Sequence, residues 1–90
     1  MENKTQEAMI ILAEECAEVI QTITKCQRFG LENYSPNSDA SNRQRLCQEL
    51  GDVLAMIEIL VEQGHMSPED LIKAKEQKTE KLLTWSNLFK

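Results

Sequence analysis

Two stretches of this chain, "ILAEECAEVIQTI" (residues 11–23) and "LCQELGDVLAMIEILVEQG" (46–64), keep apolar side chains at helical spacing and set acids inside the apolar faces. At about 100° per residue, with Glu15 as zero, Ala8, Ile11, Leu12, Val19 and Ile23 fall between about −40° and +80°. Glu15 therefore lies within the apolar arc, Glu18 at its edge and Glu14 further round. In the second stretch Glu49 falls among Leu46, Val53, Met56 and Leu60, and Asp52 sits at the margin of that arc. Each helix thus carries an acid pair at spacing i, i+3, where side-chain heads converge. Whatever this chain folds into must accommodate both pairs.

The remaining punctuation predicts an all-α fold. A first helix is expected from about Thr5 to Phe29, closed by Gly30 as a left-handed C-terminal cap. The segment "LENYSPNSDASN" is rich in Ser, Asn, Asp and Pro and reads as an irregular loop over about 30–41. A second helix starts at Ser41, whose side chain caps it with Gln44 completing a capping box, and ends at Gly64. "SPED" opens a third, with Ser67 as N-cap and Pro68 in the first turn. This helix continues through, or breaks and restarts in, "TWSNLFK". No alternating strand pattern competes. The expectation is one domain, residues 1–90, forming a small bundle of three to four helices. The second helix, apolar over more than half its circumference, is expected to be the most buried.

A chain of 90 residues buries only about 60% of its unfolded surface, so its own core is marginal. Three cysteines, Cys16, Cys26 and Cys47, are an odd count without CxxC spacing, which argues against a disulfide scaffold and against zinc. They read as free thiols in a reducing cytoplasm. Oligomerisation is then the expected support for the bundle. The polar start "MENKTQEAM" lacks the apolar region of a signal peptide. No apolar run approaches the ~20 residues of a membrane span. Net charge is −5, from 15 acidic and 10 basic residues; without Glu14, Glu15, Glu18, Glu49 and Asp52 the two would balance. Lys73, Lys75, Lys78 and Lys81 make one local basic stretch, but no basic face suited to a nucleic-acid polymer is evident.

An ionised carboxylate costs several kcal/mol to bury without a partner, and four together repel. Arg45 is the only base on the second-helix face. A bound divalent cation resolves the conflict, and all-oxygen ligands select Mg²⁺ or Mn²⁺ before Zn²⁺. The Glu-x-x-His pairs of a ferritin-like di-iron site are absent, and the lone His65 follows a glycine in a turn. The competing explanation is that an EE pair on a helix is a solvated face. A second pair at the same spacing on a second apolar face favours the metal.

These residues resemble a known family. "EECAE" (Glu14-Glu15-x-x-Glu18) followed by "ELGD" (Glu49-x-x-Asp52) is similar to the EExxE…ExxD signature of the MazG-like, all-α nucleoside triphosphate pyrophosphohydrolases, in their short single-domain phage and bacterial form. The likeness extends to "KCQRFG", to "NRQRLCQELGDVLAMIEILVEQG" and to a basic final helix. The gap between Glu18 and Glu49 is at or beyond the long end for that family. The resemblance implies Mg²⁺-dependent hydrolysis of a nucleoside triphosphate, ribo- or deoxyribo-, to the monophosphate and pyrophosphate. It implies Glu15, Glu18, Glu49 and Asp52 as metal ligands, with Glu14 binding a further ion or orienting the attacking water. It also implies homodimers or homotetramers, with the nucleobase pocket partly supplied by a neighbouring subunit.

Phosphate oxygens not on metal need positive partners. Lys25 shares the Glu18 face; Arg28, Lys78 and Lys81 are further candidates, each having an exposed solubilising base as its alternative. Tyr34 and Trp85 are candidate nucleobase platforms. Trp85, Leu88 and Phe89, at i, i+3, i+4, also read as an apolar packing stripe or subunit contact. The competing functional class is a non-catalytic helical interaction module, its acids holding a structural cation or a basic partner.

Overall fold

The computed structural model describes residues 3–90. It contains α1 (Asn3–Phe29), α2 (Asn42–Glu62) and α3 (Pro68–Trp85). Among the described residues the only strand-like pairing is an isolated bridge between Tyr34 and Ser41. The all-α expectation holds, with three helices.

The helix ends follow the chemistry written at them. Gly30 takes φ 96° and its N–H donates to the Cys26 carbonyl; a left-handed residue ends α1 at little cost only because it lacks a Cβ. Ser41 and Gln44 form the reciprocal box. The Gln44 N–H donates to Ser41 Oγ at 3.2 Å, and the Ser41 N–H donates to Gln44 Oε1 at 2.8 Å. At α3 the Asp70 N–H donates to Ser67 Oγ, with Pro68 in the first turn. α3 neither continues through nor restarts in "TWSNLFK": it stops at Trp85, where Ser86 turns extended and bonds back to Leu82.

Two compact units divide the chain, one running to Leu60 and the other from Val61 to Lys90. In the first, α1 and α2 run antiparallel. Thr22 meets Glu49, and Ala8, early in α1, meets Met56 and Leu60, late in α2. Ala8, Met56 and Leu60 are the buried hydrophobic core, with Ile11 and Leu12 half-buried against it. The 30–41 loop is tied to the start of α2. Buried Asn42 donates through Nδ2 to the Gly30 carbonyl at 2.9 Å and through its backbone N–H to that of Asn33. The Arg43 N–H donates to the Leu31 carbonyl, and Arg45 donates to Ser35 Oγ.

The packing departs from expectation on one side. Met9, Ala13, Cys16, Ile20 and Ile23 are exposed along α1, and Cys47, Leu50 and Leu54 along α2. Measured from Glu15 and Glu49, both groups lie at about +80° to +160°. Equal-handed offsets on antiparallel helices fall on the same side of the pair, so together they form one apolar flank. Glu18, Asp52 and Lys25 lie at negative offsets of about 60–80°, on the opposite flank. A two-helix pair can bury only the stripes that face each other. This leaves Leu54 63% and Ile20 66% exposed. α2 is still the most buried helix for its length, with three buried residues in 21 against three in the 27 of α1 and none in α3.

The second unit consists of the end of α2, α3 and the C-terminal tail. None of the α3 residues is buried.

Candidate metal centre and nucleotide site

Glu15 projects from the middle of α1 toward α2. The residue is half-buried, and one carboxyl oxygen, Oε2, is shut off from solvent and accepts no hydrogen bond. Desolvation pushes its pKa above the ordinary glutamate range, and the neighbouring carboxylates of Glu18 and Asp52 push in the same direction. The two helices therefore bring Glu15, Glu18 and Asp52 together, as the paired spacing requires.

Glu49 is placed by a residue that the sequence reading missed. Buried Thr22 donates through Oγ1 to Glu49 Oε2 at 2.5 Å. The signal was available: Thr22 falls seven residues after Glu15, about 20° from it on the wheel, a polar side chain inside the apolar arc. Glu14 is exposed, as are Glu18 and Asp52. Among the described residues no group of three or more His, Cys, Asp or Glu side chains is placed so that it could hold a metal ion. Glu15, Glu18 and Asp52 are neighbours, while the carboxylate of Glu49 is engaged by Thr22.

Whether these groups fit a hard cation is tested by Glu15. A carboxylate oxygen cut off from water, facing two like charges and no donor, is a costly arrangement unless a positive charge completes it. The donors are all oxygen, as Mg²⁺ requires. Arg45, the one base on this face of α2, donates to Ser35 in the loop. The all-oxygen donor set is of the kind a hard cation takes.

The family model of the MazG nucleotide pyrophosphohydrolase domain matches residues 3–83. The chain belongs to the MazG family. No curated protein and no solved structure matches it. The matched span of this MazG domain contains both acid motifs, the loop between them and nearly all of α3.

The candidate phosphate and base contacts scatter. Lys25 is half-buried on the acid flank, seven residues beyond Glu18, and lines a cavity of about 450 Å³ with Tyr34. Arg28 is directed elsewhere, its guanidinium 4.8 Å above the Phe29 ring. In the second unit Lys78 is exposed, whereas Lys81 and Trp85 share an open depression on α3 with Gln77, Glu80 and Thr84. Trp85 is 83% exposed. No helix of the described residues is long and apolar enough to cross a membrane.

Proposed function

We propose that this MazG domain hydrolyses nucleoside triphosphates, ribo- or deoxyribo-, to the monophosphate and pyrophosphate in a Mg²⁺-dependent reaction, with Mn²⁺ as an acceptable substitute. The observation that carries this reading is Glu15 Oε2, desolvated, without a donor and beside Glu18 and Asp52. Family membership supplies the reaction class.

In this reading Glu15, Glu18, Glu49 and Asp52 hold the cation. Thr22 keeps Glu49 turned toward the site through its hydroxyl. When bound, Mg²⁺ neutralises triphosphate charge, acidifies a water and aligns it for in-line attack at phosphorus. Glu14, exposed beside the ligands, accepts a hydrogen bond from the attacking water and orients it, or holds a further ion. Lys25 offers its ammonium to phosphate oxygens on the same flank, and Lys78 and Lys81 are the bases α3 has to offer. Water adds across the α–β anhydride. Its oxygen becomes part of one product and its protons are shared between the leaving phosphates and solvent, so no protein nucleophile takes part.

We further propose that the working form is a homo-oligomer, a dimer or tetramer built on the apolar flank. The occupant is a second copy of the chain. The flank carries Met9, Ile20, Ile23, Leu50 and Leu54 exposed, with no charged residue between them along either stripe, beside a core of three buried hydrophobics among the described residues. An uncharged patch of this kind is self-complementary across a two-fold axis. The three free cysteines suit a reducing cytoplasm.

The test is direct. Purified protein, Mg²⁺ and a panel of common and modified NTPs and dNTPs are assayed for pyrophosphate and monophosphate. Equimolar release of both is expected. Absence of product from the whole panel contradicts the reading.

A further inference from the structure

We infer that the cavity between the end of α1 and the 30–41 loop is the nucleobase subsite, an inference that rests on the hydrolase reading above for its ligand class. The cavity holds about 450 Å³ and is lined by Lys25, Phe29, Asn33, Tyr34, Ser35 and Pro36. That is the size range of small-molecule sites, about 300–1,000 Å³.

Three observations point to the base and sugar end of a nucleotide. The first is register. Lys25 and Phe29 follow Glu18 by seven and eleven residues, which returns both to the Glu18 face at about 10 and 16 Å along the helix. The acids, one ammonium group and the cavity thus lie in a row on one flank, in the order that phosphates, sugar and base follow in a nucleotide. The second is chemistry. Phe29 and Tyr34 give π faces to stack on a flat heteroaromatic ring, which any base provides. The Asn33 side-chain amide is engaged with no other group among the described residues and carries both donors and an acceptor for a base edge. The third is support. Asn33 is held through its backbone carbonyl by the Asn42 N–H, Ser35 is held by Arg45, Tyr34 pairs with Ser41, and the Arg28 guanidinium lies over the Phe29 ring. The loop is long and irregular, but its ties to α2 give the cavity a fixed wall. Phe29 and Asn33 were not singled out from the sequence. Trp85, the other candidate platform, lies mostly exposed at the end of α3.

Amide and side-chain NMR of the full chain, titrated with each of the four common dNMPs, tests this without requiring turnover. The expected result is saturable shifts at Phe29, Asn33 and Tyr34, with the Trp85 indole unmoved. Tyr34→Ala is expected to weaken binding of the best dNMP about ten-fold, within the range of a single base–aromatic stack. Asn33→Ala is expected to flatten the differences among the four bases. Should a variant unfold, which CD reports, Tyr34→Leu and Asn33→Asp replace them, with the same changes expected. Shifts at Trp85 without shifts at Asn33 and Tyr34 overturn the assignment, as does a panel of dNMPs that leaves the cavity unperturbed. Parallel pyrophosphate assays separate the two claims. dNMP binding in the cavity without pyrophosphate release defeats the hydrolase reading alone, and release without cavity shifts defeats the subsite alone.

Discussion

Glu15→Gln is expected to stabilise the cation-free protein and to abolish its response to Mg²⁺, reversing the order of the two proteins between the two conditions. The carboxyl has a raised pKa from desolvation, with Glu18 and Asp52 adding to it. The native state therefore holds the proton more tightly than the unfolded chain. Stability from that difference is complete below the unfolded pKa, near 4.5, and is lost as pH rises through the higher folded value. At neutral pH the charged Glu15 thus costs stability that a glutamine of the same shape does not. In EDTA at pH 7 the variant should melt above the wild type, and near pH 4 the two should converge. Added Mg²⁺ reverses the balance. A ligand at 100 times its Kd adds about 2.7 kcal/mol to the native state. For a chain of 90 residues, each kcal/mol moves Tm by about 4–8 °C, so a rise of about 10–20 °C is expected in the wild type. The variant, lacking the central ligand, should move little. Thermal melts followed by CD at 222 nm, with EDTA or Mg²⁺ at pH 4 and 7, measure all of this. An equal Mg²⁺ response in both proteins refutes the reasoning, as does a variant less stable than wild type in EDTA at pH 7.

Further outcomes follow from other contacts. Thr22→Val keeps the shape but removes the hydroxyl that holds Glu49; a loss of about 1–2 kcal/mol in urea unfolding is expected, together with weaker Mg²⁺ binding by calorimetry. Ser41→Ala removes one arm of the capping box and should cost about 1 kcal/mol in the same unfolding assay. Leu54→Glu on the apolar flank should reduce the mass seen by sedimentation to that of the 10.3 kDa chain, with helicity by CD retained; an unchanged oligomer would place the interface elsewhere.

The helix ends were legible because their determinants are local. Ser41 with Gln44, Ser67 with Asp70, and Gly30 each act within a few residues, and each acts as read. The inward direction of Glu15 was equally legible, because one helical period places it among Ala8, Ile11, Leu12 and Val19. What was not legible depends on which stripes face each other. Ile23 was counted inward, but at the margin of the arc it belongs to the exposed flank. The apolar breadth of α2 did mark the most buried helix for its length, but one neighbour can cover only one of its stripes. The Thr22–Glu49 bond spans 27 residues of sequence and needs the antiparallel register to be known. The cavity beside the loop depends on backbone ties from Asn42 and Arg43 and a side-chain bond from Arg45, which leave no periodic trace. Asn33 therefore looked like an ordinary loop residue.

Product analysis of a triphosphate reaction tests the central claim most directly. With Mg²⁺ and the best substrate of the panel, wild-type protein should release monophosphate and pyrophosphate in equal amounts. EDTA should stop release, and Asp52→Asn should abolish it while the helical CD signal persists. Release of orthophosphate and diphosphate in place of these products, or full activity in Asp52→Asn, would contradict the account.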